Sequence, residues 1–276
     1  MASTPRPTRV LYDRTYPRSL ANLPEVQLPG GTYRARFARS LEDLLAVQRL
    51  RFEVFNLELE EGLEASWRTG LDQDAFDAGC HHLVVELKDS GAVVGTYRMQ
   101  TLEMARAFNG LYTEGEFDLS EIPQQVLEQS VETGRACVAA EHRNGRVLTM
   151  LWKGLAAYLA WNRKRYLFGC CSLTSQDPHV ARQTYDLLRS GSFVHPSLRT
   201  RPWPRFVCYP PDFEADPNVS VELPPLFAGY LKLGARITGE PALDREFKTI
   251  DFLALLDSQD LDPATVRTFF GAPAPS

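Results

Sequence analysis

Six charged side chains stand out because each falls at the end of an apolar run or between two of them: Arg51, Asp74, Asp77, Arg98, Glu132 and Arg135. Removing such groups from water is costly, so they occur where charges pair or where chemistry uses them. Glu132 and Arg135 lie inside Ser130-Val-Glu-Thr-Gly-Arg-Ala-Cys-Val138, which otherwise reads as a sheet strand. Three apart on a regular strand, they point to opposite faces unless Gly134 bends or bulges the chain. Alone, the pair reads equally as a buried ion pair or as working groups of a site. Asp74 and Asp77, between Gly70 and Gly79, read alone as solvated loop acids, and Arg51 as a charge serving its own helix.

The elements that must hold these residues follow from periodicity. Tyr33, Ala35 and Phe37 alternate with Arg34 and Arg36, the period of a strand. Ser40-Leu-Glu-Asp43 resembles a capping box, and Leu41, Leu44, Leu45, Val47, Leu50, Val54 and Phe55 mark one helical face, predicting a helix over about 40–56. His82 to Leu87 and Ala92 to Leu102, joined through Asp89 and Gly91, read as an antiparallel hairpin. Val131 to Ala140 is a third strand, and a turn containing Gly145 leads into a helix over Val147 to Trp161. Tyr166 to Leu173 is a buried strand, and Asp177-Pro178 starts a helix that stops at Gly191. Beyond it, Pro224 to Gly234 reads as helix and Phe247 to Leu256 as a closing strand or short helix. This alternation predicts an α/β protein with a mixed central sheet flanked by helices.

Composition sets the outer bounds. The 276 residues, 44% hydrophobic with 15 Phe and 10 Tyr, suffice for one large core, expected over 31–257. Residues 1–30 and 258–276 are expected as a flexible segment and a tail. Without a long apolar run or leader-like start the chain is expected in the cytoplasm, and a net charge of −5 argues against general nucleic-acid binding. Five cysteines without a CxxC pair read as buried thiols, and Cys170-Cys171 as packing rather than a nucleophile. Adjacent His81 and His82 face opposite ways on a strand, so no metal is expected. The basic helix end Arg163-Lys-Arg165 reads equally as solvated surface or as a dock for an acidic protein.

Arg51-Phe-Glu-Val-Phe55, Asp74-Ala-Phe-Asp77, Gly95-Thr-Tyr-Arg98 with Thr101, and Glu132-Thr-Gly-Arg135 resemble the successive motifs of acyl-homoserine-lactone synthases, a branch of the GNAT acyltransferase fold. Phe168-Gly-Cys-Cys-Ser-Leu173 and Leu223-Pro-Pro-Leu-Phe-Ala-Gly-Tyr-Leu-Lys-Leu-Gly234, with Asp244 and Phe247, resemble the ornithine-lipid N-acyltransferases. The likeness spans about residues 33–256. It implies transfer of a 3-hydroxyacyl group from acyl carrier protein to the α-amine of L-ornithine, forming lyso-ornithine lipid, with no resident cofactor. It further implies Glu132 as general base, and Arg51, Phe55, Asp74, Asp77, Arg98, Thr101 and Arg135 around the acceptor. Val138, Arg143, Gly145, Arg146 and Ser172 would lie along the acyl-pantetheine arm. CoA-dependent GNAT enzymes carry a glycine-rich pyrophosphate loop. Here the matching stretch is His142-Arg-Asn-Gly-Arg-Val147, in which only Gly145 fits, and this suits a carrier-protein donor.

Such a reaction needs a base because an amine near pKa 8 or above is mostly protonated and cannot attack a thioester. Backbone N–H groups after Gly134 are expected to hold the oxyanion, and the turn before Val147 the pantetheine phosphate. The acceptor's second amine and its carboxylate need Asp74 or Asp77 and one of the arginines. The amphiphilic product is compatible with contact at the inner membrane leaflet. Three alternatives are homoserine-lactone synthesis, acylation of another amino acid, and a non-catalytic acyl-binding module. Against lactone synthesis stand the extra C-terminal region and the lack of a Trp shortly after Phe55, Trp67 coming later.

Overall fold

The computed structural model describes residues 16–271. A large sheet contains β1 (Leu28–Gly30), β2 (Tyr33–Phe37), β3 (His81–Leu87), β4 (Val93–Thr101), β6 (Ser130–Val138), β7 (Tyr166–Leu173), β11 (Thr249–Asp257) and β10 (Ala242–Asp244) in that spatial order, with β9 (Arg236–Ile237) also paired to β11. A separate ribbon joins β5 (Phe117–Asp118) to β8 (Arg201–Pro202). One face carries α4 (Gly145–Asn162), α5 (Pro178–Ser190), α6 (Pro225–Lys232) and α7 (Pro263–Phe270). The other carries α1 (Leu41–Arg51), α2 (Leu102–Ala107), α3 (Gln124–Glu128) and the β5–β8 ribbon.

The expected elements form largely where the periodicities put them. Ser40 caps α1 by accepting the Asp43 N–H at 3.1 Å, and the helix continues through a π-helical stretch, Phe52–Glu58. Asp177 caps α5 and Asn144 caps α4. Of the segment 247–256, Thr249 onward resolves as strand, because Ile250 to Leu256 pair with β7, while Phe247 lies in the turn that follows β10.

Residues on both sides of the expected domain also pack onto it. Within the segment expected to be flexible, Tyr16 and Leu23 are buried, Ser19 O accepts from His81 Nε2 at 2.6 Å, and β1 extends the sheet. Residues 1–15 lie outside the described residues. In the expected tail, α7 packs on α4, with Phe269 stacked on Trp152 at a centroid distance of 5.8 Å. Both segments bury apolar area that the core would otherwise expose. His81 and His82 do face opposite ways: the first bonds Tyr158 Oη at 2.8 Å, the second Tyr16 Oη at 2.8 Å.

All strand neighbours in the large sheet are antiparallel except β6 and β7. Their parallel ladder has only three pairs, from Ser130 opposite Tyr166 to Glu132 opposite Phe168, after which the strands diverge. At the divergence the Thr133 carbonyl lies where a Cβ on Gly169 would stand, 2.0 Å away. Gly169→Ala is therefore expected to force the strands apart, at a cost of about 1–3 kcal/mol. Thermal denaturation should show the midpoint falling by roughly 3–10 °C, while Gly145→Ala, whose Cβ would meet nothing within 4 Å, stays near neutral.

Candidate active site

The divergence of β6 and β7 opens a cavity of about 300 Å³ that passes through the sheet. Its wall on the α4 side is apolar: Trp152 and Leu155 from α4, Tyr230 from α6, and Leu167 and Leu256 from the strands. On the α1 side it meets Arg98, Tyr112, Glu132, Arg135, Asp244 and Asp251. Register explains this segregation. Gln100 of β4 pairs with Glu132 of β6, which pairs with Phe168 of β7, so these side chains share one face, together with Cys170 and Ser172 two and four residues on.

Three arginines and three aspartates form a closed buried network on that face. Arg51 is fully buried; its Nε donates to Asp72 Oδ2 at 2.7 Å and its Nη1 to Asp77 Oδ1 at 2.9 Å. Arg98 Nη1 donates to Asp74 Oδ2 at 2.6 Å and to Asp77 Oδ1 at 3.0 Å. Arg135 adds longer contacts, 3.4 Å to Asp74 and 3.5 Å to Asp72. Burial pushes Asp77 up, but Arg51, the His82 hydrogen bond and Arg98 outweigh it and hold this carboxyl well below the usual carboxylate range. Asp74 is likewise lowered, burial being overcome mainly by Arg98.

These aspartates thus already have their cations. The structure brings Arg51, Asp74, Asp77, Arg98 and Arg135 together, yet only Arg98 and Arg135 of the five line the cavity. Phe55 lines it too, edge-on to Phe247 at 5.4 Å. Thr101 does not: it caps α2, accepting the Met104 N–H at 3.4 Å.

Glu132 and Arg135 share a face by a different device from the one expected. The residue with positive φ is Arg135, at 49°, rather than Gly134. The β4 register moves from Arg98 opposite Gly134 to Thr96 opposite Cys137, so Arg135 and Ala136 together face Tyr97 in a bulge. The turned Arg135 guanidinium lies 4.1 Å from the Phe247 ring centroid and 5.1 Å from that of Tyr112.

Glu132 is 5% exposed and accepts four hydrogen bonds. Oε1 takes Thr113 N–H at 2.9 Å and Thr113 Oγ1 at 2.8 Å; Oε2 takes Gln100 Nε2 at 2.6 Å and Tyr112 N–H at 3.0 Å. That fills the in-plane lone-pair positions of the carboxylate.

Of the residues expected along the pantetheine arm, Ser172 lines the cavity, whereas Val138, Arg143, Gly145 and Arg146 do not. The Val138 carbonyl accepts from Arg143 Nε at 3.1 Å, and Arg143 Nη2 pairs with Glu58 at 2.6 Å. At the start of α4, Asn144 Oδ1 accepts the N–H groups of Arg146 and Val147 at 3.1 and 3.2 Å, occupying two of the amides expected to meet a phosphate. In the basic helix end, Lys164 pairs with Glu103 at 2.6 Å and Arg165 with Asp257 at 2.5 Å.

Sequence reasoning missed Asp72, Gln100, Tyr112, Thr113, Glu116 and Asp251. A signal existed for Gln100 and Asp251, polar residues inside apolar strand runs; Glu116 sits in an irregular segment without one. Carboxylate oxygens of Glu116 and Asp251 and Sγ of Cys170 lie within 4.8 Å of one another, a spacing compatible with a cation. Burial raises the pKa values of both acids, reinforced at Glu116 by Asp251 and Asp244 and at Asp251 by Asp244, where hydrogen bonds from Ser172, Glu116 and Thr249 oppose it.

A mixed sheet whose parallel strands splay around a cavity, polar on one side and apolar on the other, defines a GNAT-type acyltransferase. Consistent with that class, residues 50–153 match the acetyltransferase (GNAT) domain family. The chain belongs to the L-ornithine N(alpha)-acyltransferase family. It is 32% identical over 243 residues to the Agrobacterium fabrum member, covering 82% of this chain and 81% of that protein. With the Rhizobium meliloti member identity is 31% over 238 residues, 80% of this chain and 78% of that one. The solved acyl-homoserine-lactone synthase LasI aligns at 10% identity with a TM-score of 0.46, covering 88% of this chain and 98% of its own.

Proposed function

We propose that the protein transfers a fatty acyl group from the thioester of acyl carrier protein to the α-amine of L-ornithine. The observation that carries this reading is the two-sided cavity. Its apolar arm between α4, α6 and the sheet suits an acyl chain, its polar arm suits a small zwitterion, and the two meet where β6 leaves β7. The relatives' shared name, L-ornithine N(alpha)-acyltransferase, supports the acceptor.

In this mechanism the acyl carbonyl sits in the split. Beyond Glu132 the backbone N–H groups of β6 that point toward β7 have no ladder partner there, and they stabilise the oxyanion. The amine nitrogen attacks the carbonyl carbon, the C–S bond then breaks, and the pantetheine sulfur leaves as a thiolate that takes up the proton the amine gave to Glu132, which returns Glu132 to its charged form. Because the in-plane positions of Glu132 are filled, a proton reaches it by exchange through one of its donors. Thr113 Oγ1, which also lines the cavity, can accept from the amine while passing its own proton to Glu132. Arg135, the arginine of the network held by the longest contacts, receives the acceptor carboxylate.

A carrier-protein donor is favoured because Asn144 already occupies two amides that a CoA diphosphate would need. An acyl group supplied as a thioester needs no resident cofactor. No helix among the described residues is long and apolar enough to cross a membrane, and the amphiphilic product would be released at a membrane surface.

Mass spectrometry of products formed from 3-hydroxyacyl-carrier protein, an amino-acid pool and S-adenosylmethionine tests the reading. Acyl-ornithine is expected, with acyl-CoA a much poorer donor. An acyl lactone, or equal rates with acyl-CoA at low concentration, overturns the corresponding half.

A further inference from the structure

The polar arm ends in carboxyl groups that the arginine network does not neutralise. Asp251 of β11 and Asp244 of β10 line the cavity, and Glu116 lies beside Asp251. None of the three makes an ion pair with Arg or Lys among the described residues, whereas Asp72, Asp74 and Asp77 all do. Asp251 is 3% exposed, and although Ser172, Glu116 and Thr249 hydrogen-bond its carboxyl, Oδ1 has no hydrogen-bond partner. An unpaired carboxylate oxygen buried this deeply beside a cavity lacks a cation.

We propose that Asp251 and Glu116, with Asp244 behind them, bind the side-chain ammonium of the amino-acid acceptor and so select a dibasic amino acid. The inference rests on the acceptor reading above and replaces Asp74 and Asp77, which are consumed by arginines, in that role. Reach supports it. Cys170, two residues and roughly 7 Å along the strand from Phe168, places Sγ 3.8 Å from Glu116 Oε2. An ornithine side chain plus one hydrogen bond spans about the same length. With the α-amine at the split and the carboxylate on Arg135, the terminal nitrogen arrives among these acids.

Burial raises both acids, with Asp251 and Asp244 adding to it at Glu116 and Asp244 adding to it at Asp251, and an ammonium among them favours their charged forms. Glu61, Tyr112, Cys170, Cys171, Cys208, Asp244 and Arg135 are the other titratable or charged groups that act on this pair from the surrounding segments.

The test compares ornithine with norvaline, which has the same carbon skeleton and no terminal amine, in the wild type, Asp251→Asn and Glu116→Gln. Both variants are expected to lower kcat/KM for ornithine on the order of 100-fold, mainly through KM, with norvaline unchanged. If Asp251→Asn fails to fold, Glu116→Gln carries the comparison. An unchanged ornithine-to-norvaline ratio, an equal loss for both, or stoichiometric metal on the purified protein overturns the proposal. Calorimetric binding of the two amino acids without acyl donor separates the two readings. Ornithine preference lost in the variants upholds this site even if the wild type forms a different product. Acyl-ornithine synthesis with no such loss defeats the site alone.

Discussion

Glu132→Gln is expected to lower kcat at least about 100-fold, the usual contribution of positioned acid–base catalysis. The amide replaces one acceptor oxygen by an NH2 group, which must face either Gln100 and Tyr112 or Thr113, donors in each case. Loss of activity alone would therefore not separate proton transfer from support of the 110–113 segment. Thr113→Val does, because it keeps the backbone N–H bond to Glu132 and removes only the hydroxyl. If the proton passes through Thr113 Oγ1, kcat falls by a similar factor with little change in melting temperature. Near-normal turnover in Thr113→Val, beside an inactive Glu132→Gln, would assign Glu132 to holding the 110–113 segment.

Arg51→Met should be the most destabilising single change. It leaves Asp72 and Asp77, both fully buried, short of a cation, at a cost of about 3–5 kcal/mol. For a domain of this size that lowers the thermal midpoint on the order of 10 °C. Loss of activity would follow through Arg98 and Arg135, which share the same aspartates. A midpoint within a degree or two of wild type would show that the network is not what holds this face together.

The pH dependence of stability has a defined sign for each buried group. Asp74 and Asp77 have folded values below their ordinary 3.8, so their contribution is present above about pH 4 and is lost as pH falls through the folded values. Burial pushes His81 down to about 4 from 6.5, so it too favours the folded state at neutral pH and its contribution is lost on acidification, over pH 6.5 to 4. The raised Glu116 and Asp251 act in the opposite sense and offset His81 in that window, so the decline that melting curves should show is the steep one below about pH 4, and Arg51→Met flattens it.

Much of this was legible in the chain itself. The alternation Tyr33–Phe37, the apolar run Tyr166–Leu173 and the caps at Ser40 and Asp177 sit where the structure has them, because strand and helix periods and capping bonds are local properties. Charges inside apolar runs marked Arg51, Arg98, Glu132 and Arg135 as residues with a task, since leaving them unpaired would be too costly. Their division of labour was not readable there. Whether Asp74 and Asp77 meet a substrate or three arginines depends on the packing of the 72–77 segment beneath α1. The positive φ at Arg135, rather than at Gly134, depends on the β4–β6 register. Glu116 and Asp251 become neighbours of Cys170 only because β11 pairs with β7 and the segment around Glu116 folds back over that face. Local sequence determined the elements and the residues in need of partners; which partners they received was decided by the tertiary structure, because strand order and register bring together charges that no local period relates.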